Sequence, residues 1–388
     1  MRRMLRRPVF LFLAALTATV VQLQAQQAAP QPSAPLRESL QRKFEELHKA
    51  ATFPGGSAGF VLADGTSFGI AVGVSDRTAA TAMKPTDRLL LGSVGKTYAS
   101  AVALQMISEG KFSLDDPLDR FFGKEPWFGR IANAKGITVR HLMTHTSGLV
   151  RYEFNPKFTK DLSAQPDKVW TGADRLSYLF DATPPFAPGA GWEYSDTNYI
   201  VLGMIIEQVA KGSYYDELRK RILVPFELRD TVPADSRVVP GLVQGYAGPN
   251  NPFGGKDEMI TDGKFAVNPQ FEWTGGGLAV TALDLARWGK LLYEGRVLGE
   301  TMTARLLEGV PSKLGPEAKY GLGVIIRPSP LGITYGHSGF MPGYQTELIY
   351  FPDLKASVAV QVNSSAPRTT GRPLRAFAIE FAEIVRRP

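Results

Sequence analysis

The chain has 388 residues, 44% hydrophobic and 21% charged, so it can bury a large core and is not expected to be largely disordered. It contains no cysteine, which excludes disulfide bonds. The net charge is +7, and four of the positive charges are arginines within the first seven residues. Removing that segment leaves +3, which gives no case for nucleic-acid binding.

The first 25 residues have the three-part organisation of a secretory signal peptide. The four arginines precede an apolar run over about residues 8–21, and small residues follow at Ala25 and Ala28. The run is shorter than the roughly 20 residues of a spanning helix, so a retained anchor is the less favoured alternative. We expect export to the periplasm or the cell exterior, a flexible leader at residues 26–35, and no membrane span after cleavage.

The elements that follow the leader are predicted to be one helix and two strands. Apolar residues at helical spacing predict a helix over residues 36–51; they are Leu36, Leu40, Phe44 and Leu47. Apolar runs at 57–62 and 67–74 predict two strands, and Asp64-Gly65 between them is typical of a hairpin turn. A further helix is predicted over residues 94–107.

The end of the chain mirrors its beginning. Strands are predicted at residues 332–335, 345–351 and 356–362, and a closing helix at 373–386. Five strands divided between the two ends, with a helix at each terminus, predict an α/β (α+β) fold built on one antiparallel five-stranded sheet. We assign residues 36–111 and 300–388 to this subdomain.

The middle of the chain, residues 112–299, is predicted to be an inserted, mainly helical subdomain. Its connections are long and rich in proline and glycine. Because long irregular loops often line binding clefts, residues 232–275 are a candidate for the wall of the substrate site.

Three short motifs are not interpreted as the functional sites that they resemble. The Gly-Lys-Thr at residues 95–97 lacks the glycine of a phosphate loop, since Leu90 stands there. The G-x-S-x-G around Ser57 precedes a strand, whereas a nucleophile elbow follows one. His141 and His145 have zinc-ligand spacing but no glutamate between them and no third ligand, so no metal and no other cofactor is predicted.

Ser93 and Lys96 are the candidates for nucleophilic chemistry. Residues three apart at a helix start face the same side, so the Lys96 ammonium can reach the Ser93 hydroxyl. The positive end of the helix also favours an alkoxide at Ser93. A nucleophilic serine further needs a base and an oxyanion hole, and these are found in motifs farther along the chain.

Those motifs resemble the serine β-lactamase and penicillin-binding-protein superfamily. Ser93-Val94-Gly95-Lys96 matches its Ser-x-x-Lys, Tyr194-Ser195-Asp196 occupies the place of Tyr-x-Asn, and His337-Ser338-Gly339 matches His-x-Gly. The arrangement is similar to the branch of class C β-lactamases, D-alanyl-D-alanine carboxypeptidases, D-aminopeptidases and family VIII carboxylesterases. The resemblance covers about residues 36–385 and implies a β-lactamase/transpeptidase-like fold.

The resemblance implies a role for each motif residue. Ser93 would attack an acyl carbon, and Tyr194, as a phenolate or sharing a proton with Lys96, would be the base. The backbone amides of Ser93 and Phe340 would form the oxyanion hole. The residues expected to contact substrate are Asp196, His337, Ser338, Gly339 and Phe340. His145 and Ser147 are interpreted as a turn that braces the helical subdomain.

Two departures from the family bear on the substrate. His337 replaces the lysine of class C β-lactamases, so hydrolysis is expected to depend on a group that titrates near the ordinary histidine pKa of ~6.5. Asp196 replaces asparagine; it cannot donate a hydrogen bond to an amide carbonyl, but it can pair with Lys96 and keep it charged.

These features predict an exported serine hydrolase that forms an acyl-enzyme on Ser93. Its substrate is expected to be a small molecule or a peptide, either an ester or a D-amino-acid peptide. A class C-like β-lactamase is the alternative among enzymes. The alternative from another class is a penicillin-binding sensor that is acylated but does not turn over.

Overall fold

The computed structural model describes residues 30–249, 251–254 and 257–387, so the predicted signal peptide lies outside the described residues. The helices are α1 Ala34–Lys49, α2 Lys96–Ser108, α3 Asp119–Phe122, α4 Val139–Met143, α5 Pro156–Ala164, α6 Gly172–Leu176, α7 Thr197–Ala210, α8 Tyr214–Leu218, α9 Ala282–Tyr293, α10 Gly299–Leu306 and α11 Leu374–Arg386. None of the helices within these ranges is long and apolar enough to cross a membrane.

Strands come from both ends of the chain and from its middle. They are β1 Gly55–Val61, β2 Ser67–Asp76, β3 Thr81–Ala82, β4 Leu89–Leu90, β5 Thr231–Pro233, β6 Ile260–Thr261, β7 Lys264–Phe265, β8 Leu278–Val280, β9 Val310–Pro311, β10 Lys319–Tyr320, β11 Ile325–Ser329, β12 Gly332–Met341, β13 Tyr344–Phe351 and β14 Ala356–Val362.

The main sheet is antiparallel and has the strand order β3-β2-β1-β14-β13-β12-β11-β10-β9 in the described part of the chain. The five predicted strands are the adjacent strands β2, β1, β14, β13 and β12, which confirms that both ends of the chain complete one sheet. The predicted number of strands is too low. Strands β3, β9 and β10 have only two residues each and show no alternation, and Pro328 in β11 argues against a strand in the sequence.

One face of this sheet is covered by the two terminal helices, as predicted. Leu40 and Phe44 of α1 pack with Phe377 and Phe381 of α11, and the rings of Phe44 and Phe381 meet edge to face at 5.5 Å. Burying each of these side chains contributes about 1.5–3 kcal/mol. The helices thereby join the beginning and the end of the described chain.

The other face of the sheet packs against α9 and the helical region. A single hydrophobic cluster includes Leu104 of α2, Ile200 of α7, Leu285 of α9 and Leu348 of β13. The predicted insertion contains α3 to α9, but it also holds β5 and β8, which form a small sheet with β4. The start of α2, with the residues just before it, lies where the large sheet and the helical region meet.

The glycine-rich motif at the start of β1 serves packing. Ser57 is fully buried within the strand, and a Cβ at Gly59 would lie 2.1 Å from the Ala282 carbonyl oxygen at the start of α9. We expect Gly59→Ala to lower the free energy of unfolding by about 1–3 kcal/mol, because the strand and the helix must separate. Urea unfolding tests this. Gly129→Ala, where a Cβ meets no atom within 4 Å, is the control; equal losses in both variants would contradict the packing role.

Candidate active site

Ser93 lies in a tight turn that leads into α2. The turn is a 3₁₀ helix over Gly92–Gly95, and Lys96 is the first residue of α2. The α-helix therefore begins two residues later than predicted. Residues three apart also lie above one another in a 3₁₀ helix, so the predicted contact between Lys96 and Ser93 is present. Lys96 Nζ donates to Ser93 Oγ at 3.0 Å.

Asp196 stands between two cations. Lys96 Nζ forms an ion pair with Asp196 Oδ1 and donates to the Gly275 carbonyl at 2.9 Å. Arg151 Nη2 lies 2.8 Å from the other Asp196 oxygen, and Arg151 Nε lies 2.5 Å from Glu153 Oε1. The predicted pairing of Asp196 with Lys96 is confirmed, and the half-buried side chains of Arg151 and Glu153 extend it to a chain of four paired groups.

Electrostatics keep this pair ionised. Burial alone would lower the pKa of Lys96, but the Asp196 carboxylate outweighs it and holds that pKa above its usual value. Burial would likewise raise the pKa of Asp196, but the Lys96 and Arg151 charges hold it well below its usual range. Lys96 is therefore a proton donor in the resting site.

Tyr194 lies against this charged chain, in the loop that enters α7. Lys96 Nζ is 5.1 Å from the centre of its ring, and the His145 ring is 4.2 Å away on centroids. Burial raises the pKa of Tyr194, and the Lys96 charge offsets only part of that rise. The neutral phenol is therefore favoured in the resting site, because Asp196 pairs with the Lys96 charge that would stabilise a phenolate; the role of Tyr194 as the base stays a prediction.

His337, on β12, lies behind Tyr194 and does not line the cavity at Ser93. Its Nε2 lies 2.9 Å from the Tyr320 hydroxyl and its Nδ1 2.7 Å from the Ser338 carbonyl oxygen. Burial and the Lys96 charge lower the pKa of His337 to about 3. The ring is enclosed among aromatic side chains, which disfavours the expected titration near neutrality; the contact of His337 with substrate stays a prediction.

The remaining residues of the third motif divide between the two faces of the sheet. Ser338 lines a groove beside α11 with Arg375, because side chains alternate along a strand. Its contact with substrate at Ser93 stays a prediction that this position does not favour. Gly339 allows close packing, since a Cβ there would lie 1.9 Å from the Leu91 carbonyl oxygen. Its role is to bring β12 against the segment that carries Ser93.

Phe340 adjoins Ser93 both through its backbone and at the cavity wall. A Cβ at Gly92, whose φ is 51°, would lie 2.7 Å from the Phe340 backbone nitrogen. The two amides predicted for the oxyanion hole, those of Ser93 and Phe340, thus belong to segments in direct contact. The Phe340 side chain is 58% exposed at the mouth of the cavity.

Ser93 opens into a cavity of about 300 Å³. Aromatic and aliphatic side chains form much of its wall: Phe154, Phe158, Leu162, Pro252, Phe253, Phe271, Phe340 and Pro342. Its polar residues include Arg151, Glu153, Asp196 and Glu272. Four residues of the cavity wall come from the predicted segment 232–275, namely Pro252, Phe253, Phe271 and Glu272. Residues 151–162 also contribute to the wall, and the sequence did not predict this contribution.

Arg151, Glu153 and Glu272 are therefore site residues that sequence reasoning missed. Arg151 and Glu153 lie on either side of the buried Tyr152, outside any long helix or strand. From the sequence alone, charged residues in such a segment cannot be distinguished from those of a surface loop. Glu272 directly precedes the Trp-Thr-Gly-Gly-Gly run at residues 273–277. That glycine-rich run is the sequence feature from which a site residue could have been suspected here.

The turn at His145 and Ser147 braces the loop before α7, as predicted. Ser147 Oγ donates to Asn198 Oδ1 at 2.5 Å, and His145 Nδ1 lies 3.2 Å from the Ser195 backbone nitrogen. His141 instead lies at the start of α4, where its Nδ1 accepts from the Thr138 backbone nitrogen. Among the described residues, no group of three or more His, Asp or Glu side chains is arranged to hold a metal ion.

Comparison with known proteins identifies the family. The Beta-lactamase family model matches residues 40–383. Penicillin-binding protein 4* of Bacillus subtilis is 27% identical over 331 residues, which cover 82% of this chain and 69% of that protein. A D-aminopeptidase of Brucella anthropi is 27% identical over 318 residues, covering 80% of this chain and 56% of that protein.

Solved structures share the fold. A D-stereospecific amidohydrolase from Streptomyces sp. superposes with a TM-score of 0.73 at 26% identity, covering 84% of this chain and 94% of that one. A D-amino acid amidase from Ochrobactrum anthropi superposes with a TM-score of 0.77 at 22% identity, covering 91% of this chain and 99% of that one. The family match over most of the chain agrees with the Ser93–Lys96 pair at the junction of sheet and helices. The chain belongs to the beta-lactamase family and is one of its serine hydrolases.

Proposed function

We propose that this protein hydrolyses amides or esters of D-amino acids that carry an apolar or aromatic side chain, through an acyl-enzyme on Ser93. The observation that carries the proposal is the cavity at Ser93, which has an aromatic wall and lacks a free cation among its described residues. Tyr194, as a phenolate or sharing a proton with Lys96, would take the Ser93 proton as Oγ bonds to the acyl carbon and would then return that proton to the leaving group.

The wall of the cavity favours an apolar substrate group. Phe158 and Phe271 are buried at its base, while Phe154 and Phe340 are 68% and 58% exposed at its mouth. Aromatic side chains exposed at a site that also holds a nucleophile are suited to stack on a flat substrate group. A cavity of about 300 Å³ is at the small end of ligand sites, which suits a single amino-acid derivative.

The charges disfavour a substrate carboxylate. Arg151 is the cation in the described wall, and its guanidinium already contacts Asp196 and Glu153. Lys96 donates to Ser93, Asp196 and Gly275, which uses its three protons. D-Ala-D-Ala peptides and β-lactams each carry a carboxylate. Because both cations are already paired, that carboxylate would have no unpaired cation to bind in the described part of the cavity.

The D configuration is supported by the relatives. Two relatives that exceed 25% identity to this chain are named for the D configuration, a D-stereospecific amidohydrolase and a D-aminopeptidase. We also propose that the protein acts outside the cytoplasm, on the strength of the arginine-rich and apolar residues 1–25.

A panel of five substrates tests the proposal. They are D-phenylalanine amide, L-phenylalanine amide, a p-nitrophenyl ester, a chromogenic cephalosporin and a peptide ending in D-Ala-D-Ala. We expect kcat/KM for D-phenylalanine amide or the ester to exceed that for the last two substrates by at least about tenfold, since a buried carboxylate without a partner is costly.

The same panel separates the alternatives. A higher kcat/KM for the cephalosporin would identify a β-lactamase, and a higher one for the D-Ala-D-Ala peptide a carboxypeptidase. Stoichiometric labelling by a fluorescent penicillin, with no turnover of any panel member, would identify a penicillin-binding sensor. Each of these three results contradicts the proposed substrate class.

A further inference from the structure

A second recess of the protein lies where the start of α11 meets the strands β11, β12 and β13. Its volume is about 480 Å³, which is within the range of small-molecule sites. In the part of the chain that the structure describes, none of its lining residues also lines the cavity at Ser93. We call this recess the α11 groove, and its charged and polar lining residues are Arg327, Ser338, Glu347 and Arg375.

Glu347 is a buried acid of the α11 groove without a counter-ion. It is 5% exposed, and the next residues of β13 on the same face, Ile349 and Phe351, belong to the hydrophobic cluster under α11. The Ser338 hydroxyl stands opposite it on β12, but no described lysine or arginine nitrogen lies within 4 Å of its carboxylate. Burial raises the pKa of Glu347, and the Arg327 charge opposes the rise. A buried carboxylate is costly unless a cation compensates it.

Two arginines of the α11 groove have unused donors. The Arg327 Nε is buried and donates to no acceptor among the residues described. Arg375 Nη2 donates to the Pro328 carbonyl at 2.5 Å, which holds its guanidinium at the groove. Across residues 30–249, 251–254 and 257–387, neither arginine has a carboxylate oxygen within 4 Å. The planar fork of a guanidinium is suited to bind a carboxylate through two N–H groups.

Strand pairing keeps the charges of the two signs apart. Arg327 and Glu347 lie on β11 and β13, with β12 between them, so their backbones are separated by at least about 10 Å. They are also displaced along β12, since Arg327 pairs with Thr334 and Glu347 pairs with Ser338. Arg375 is held on the β11 side by its hydrogen bond to that strand. The sheet thus presents both signs of charge to one groove, and a ligand that carries both would compensate them.

The rest of the α11 groove is apolar. It is lined by Leu314, Pro316, Ala376 and Ile379. The first turn of α11 also borders it and has no side-chain cap, and the positive end of a helix favours a carboxylate. The groove therefore matches a molecule with a carboxylate, an ammonium and an apolar side chain, which is the combination found in a free amino acid.

We propose that the α11 groove is a second binding site, specific for a free amino acid with an apolar side chain. The ligand carboxylate would contact Arg327 and Arg375, and the ligand ammonium would contact Glu347. The ligand side chain would pack on Leu314 and Ile379. The proposal does not rest on the proposed function, because binding in the groove needs no acyl-enzyme.

Calorimetry with three ligands tests the charge pattern. The ligands are phenylalanine, as each enantiomer, N-acetylphenylalanine, which lacks the ammonium, and phenethylamine, which lacks the carboxylate. We expect the better enantiomer of phenylalanine to bind at least about tenfold more tightly than either derivative, since each derivative leaves one buried charge unpaired. Absence of phenylalanine binding, or equal binding of either derivative, would overturn the proposal.

Glu347→Gln tests the ammonium contact, because the amide keeps the shape of the side chain and removes its charge. The affinity for phenylalanine should fall at least about tenfold, whereas the affinity for N-acetylphenylalanine should not fall. The matched control is Glu383→Gln, a half-buried glutamate of α11 that does not line the groove, which should bind both ligands as the unaltered protein does. An unchanged affinity for phenylalanine in Glu347→Gln would contradict the proposal.

An introduced thiol tests the place of binding without altering Glu347. The chain has no cysteine, so Ala376→Cys supplies a single thiol at the α11 groove. Phenylalanine should slow the reaction of this thiol with a maleimide in proportion to the fraction of protein bound. Ala210→Cys, at the end of α7 and also half-buried, is the control and should react equally fast with and without phenylalanine. Phenylalanine that binds without protecting Ala376→Cys would occupy another site, and the proposal would then fail.

Discussion

Ser93→Ala is expected to lower kcat for every substrate that the protein turns over by about 10⁴-fold or more, because no other group can form the acyl-enzyme. The rate should be measured with the best substrate of the panel. Intact-mass spectrometry should show an acyl adduct on the wild type and none on the variant. The fold should be unchanged, since the Ser93 hydroxyl contacts Lys96 at the wall of an open cavity.

Ser57→Ala is the matched control for this experiment. Ser57 also stands in a serine motif, but it is fully buried in β1 and does not line the cavity. Its removal should leave kcat/KM within about twofold of wild type, as is usual for a residue that touches no reacting atom. Activity that survives in Ser93→Ala, or that disappears in Ser57→Ala, would contradict the mechanism.

Asp196→Ala is expected to lower the free energy of unfolding by about 3–5 kcal/mol and to abolish activity. The substitution leaves the buried Lys96 ammonium without a carboxylate and leaves the half-buried Arg151 with Glu153 alone. The unpaired Lys96 can then lose its proton, so its hydrogen bond to Ser93 changes. Urea unfolding followed by circular dichroism measures the stability.

Asp115→Ala is the matched control, because Asp115 pairs with Arg140 at 2.9 Å but its side chain is 76% exposed. An exposed pair contributes at most about 1 kcal/mol to the free energy of unfolding.

The loss in free energy of unfolding caused by Asp196→Ala should also depend on pH. The Asp196 pKa is depressed by folding, so its contribution is complete above about pH 4, the unfolded value, and is lost as the pH falls further. Equal losses in the two variants would contradict the buried pairing.

The elements of the fold were largely predictable, because they depend on local periodicity. The residues that bury α1 and α11 recur at helical spacing, and the five central strands are apolar runs bounded by turns. Strand β11 was not predictable, although it forms a tight hairpin with β12, because the sequence there contains Pro328, which is unusual within a sheet.

The Ser93–Lys96 pair could be identified from the sequence for the same reason. Three residues of spacing bring the two side chains together in any tight helical turn, whether α or 3₁₀. The residue types also predicted the pairing of Asp196 with Lys96. A carboxylate and an ammonium attract each other wherever the chain brings them together.

Only the tertiary structure decided the protonation states and the wall of the cavity. A lone histidine predicts titration near neutrality, but the enclosure of His337 among aromatic rings lowers its pKa to about 3. An isolated glutamate predicts a solvated side chain, but Glu272 is packed beside Asp196, and its pKa rises to about 7. Both shifts arise from burial and from charges far away in the chain. Motif spacing therefore identifies the candidate nucleophile and its lysine, whereas the protonation states of the groups around them depend on which distant segments pack together.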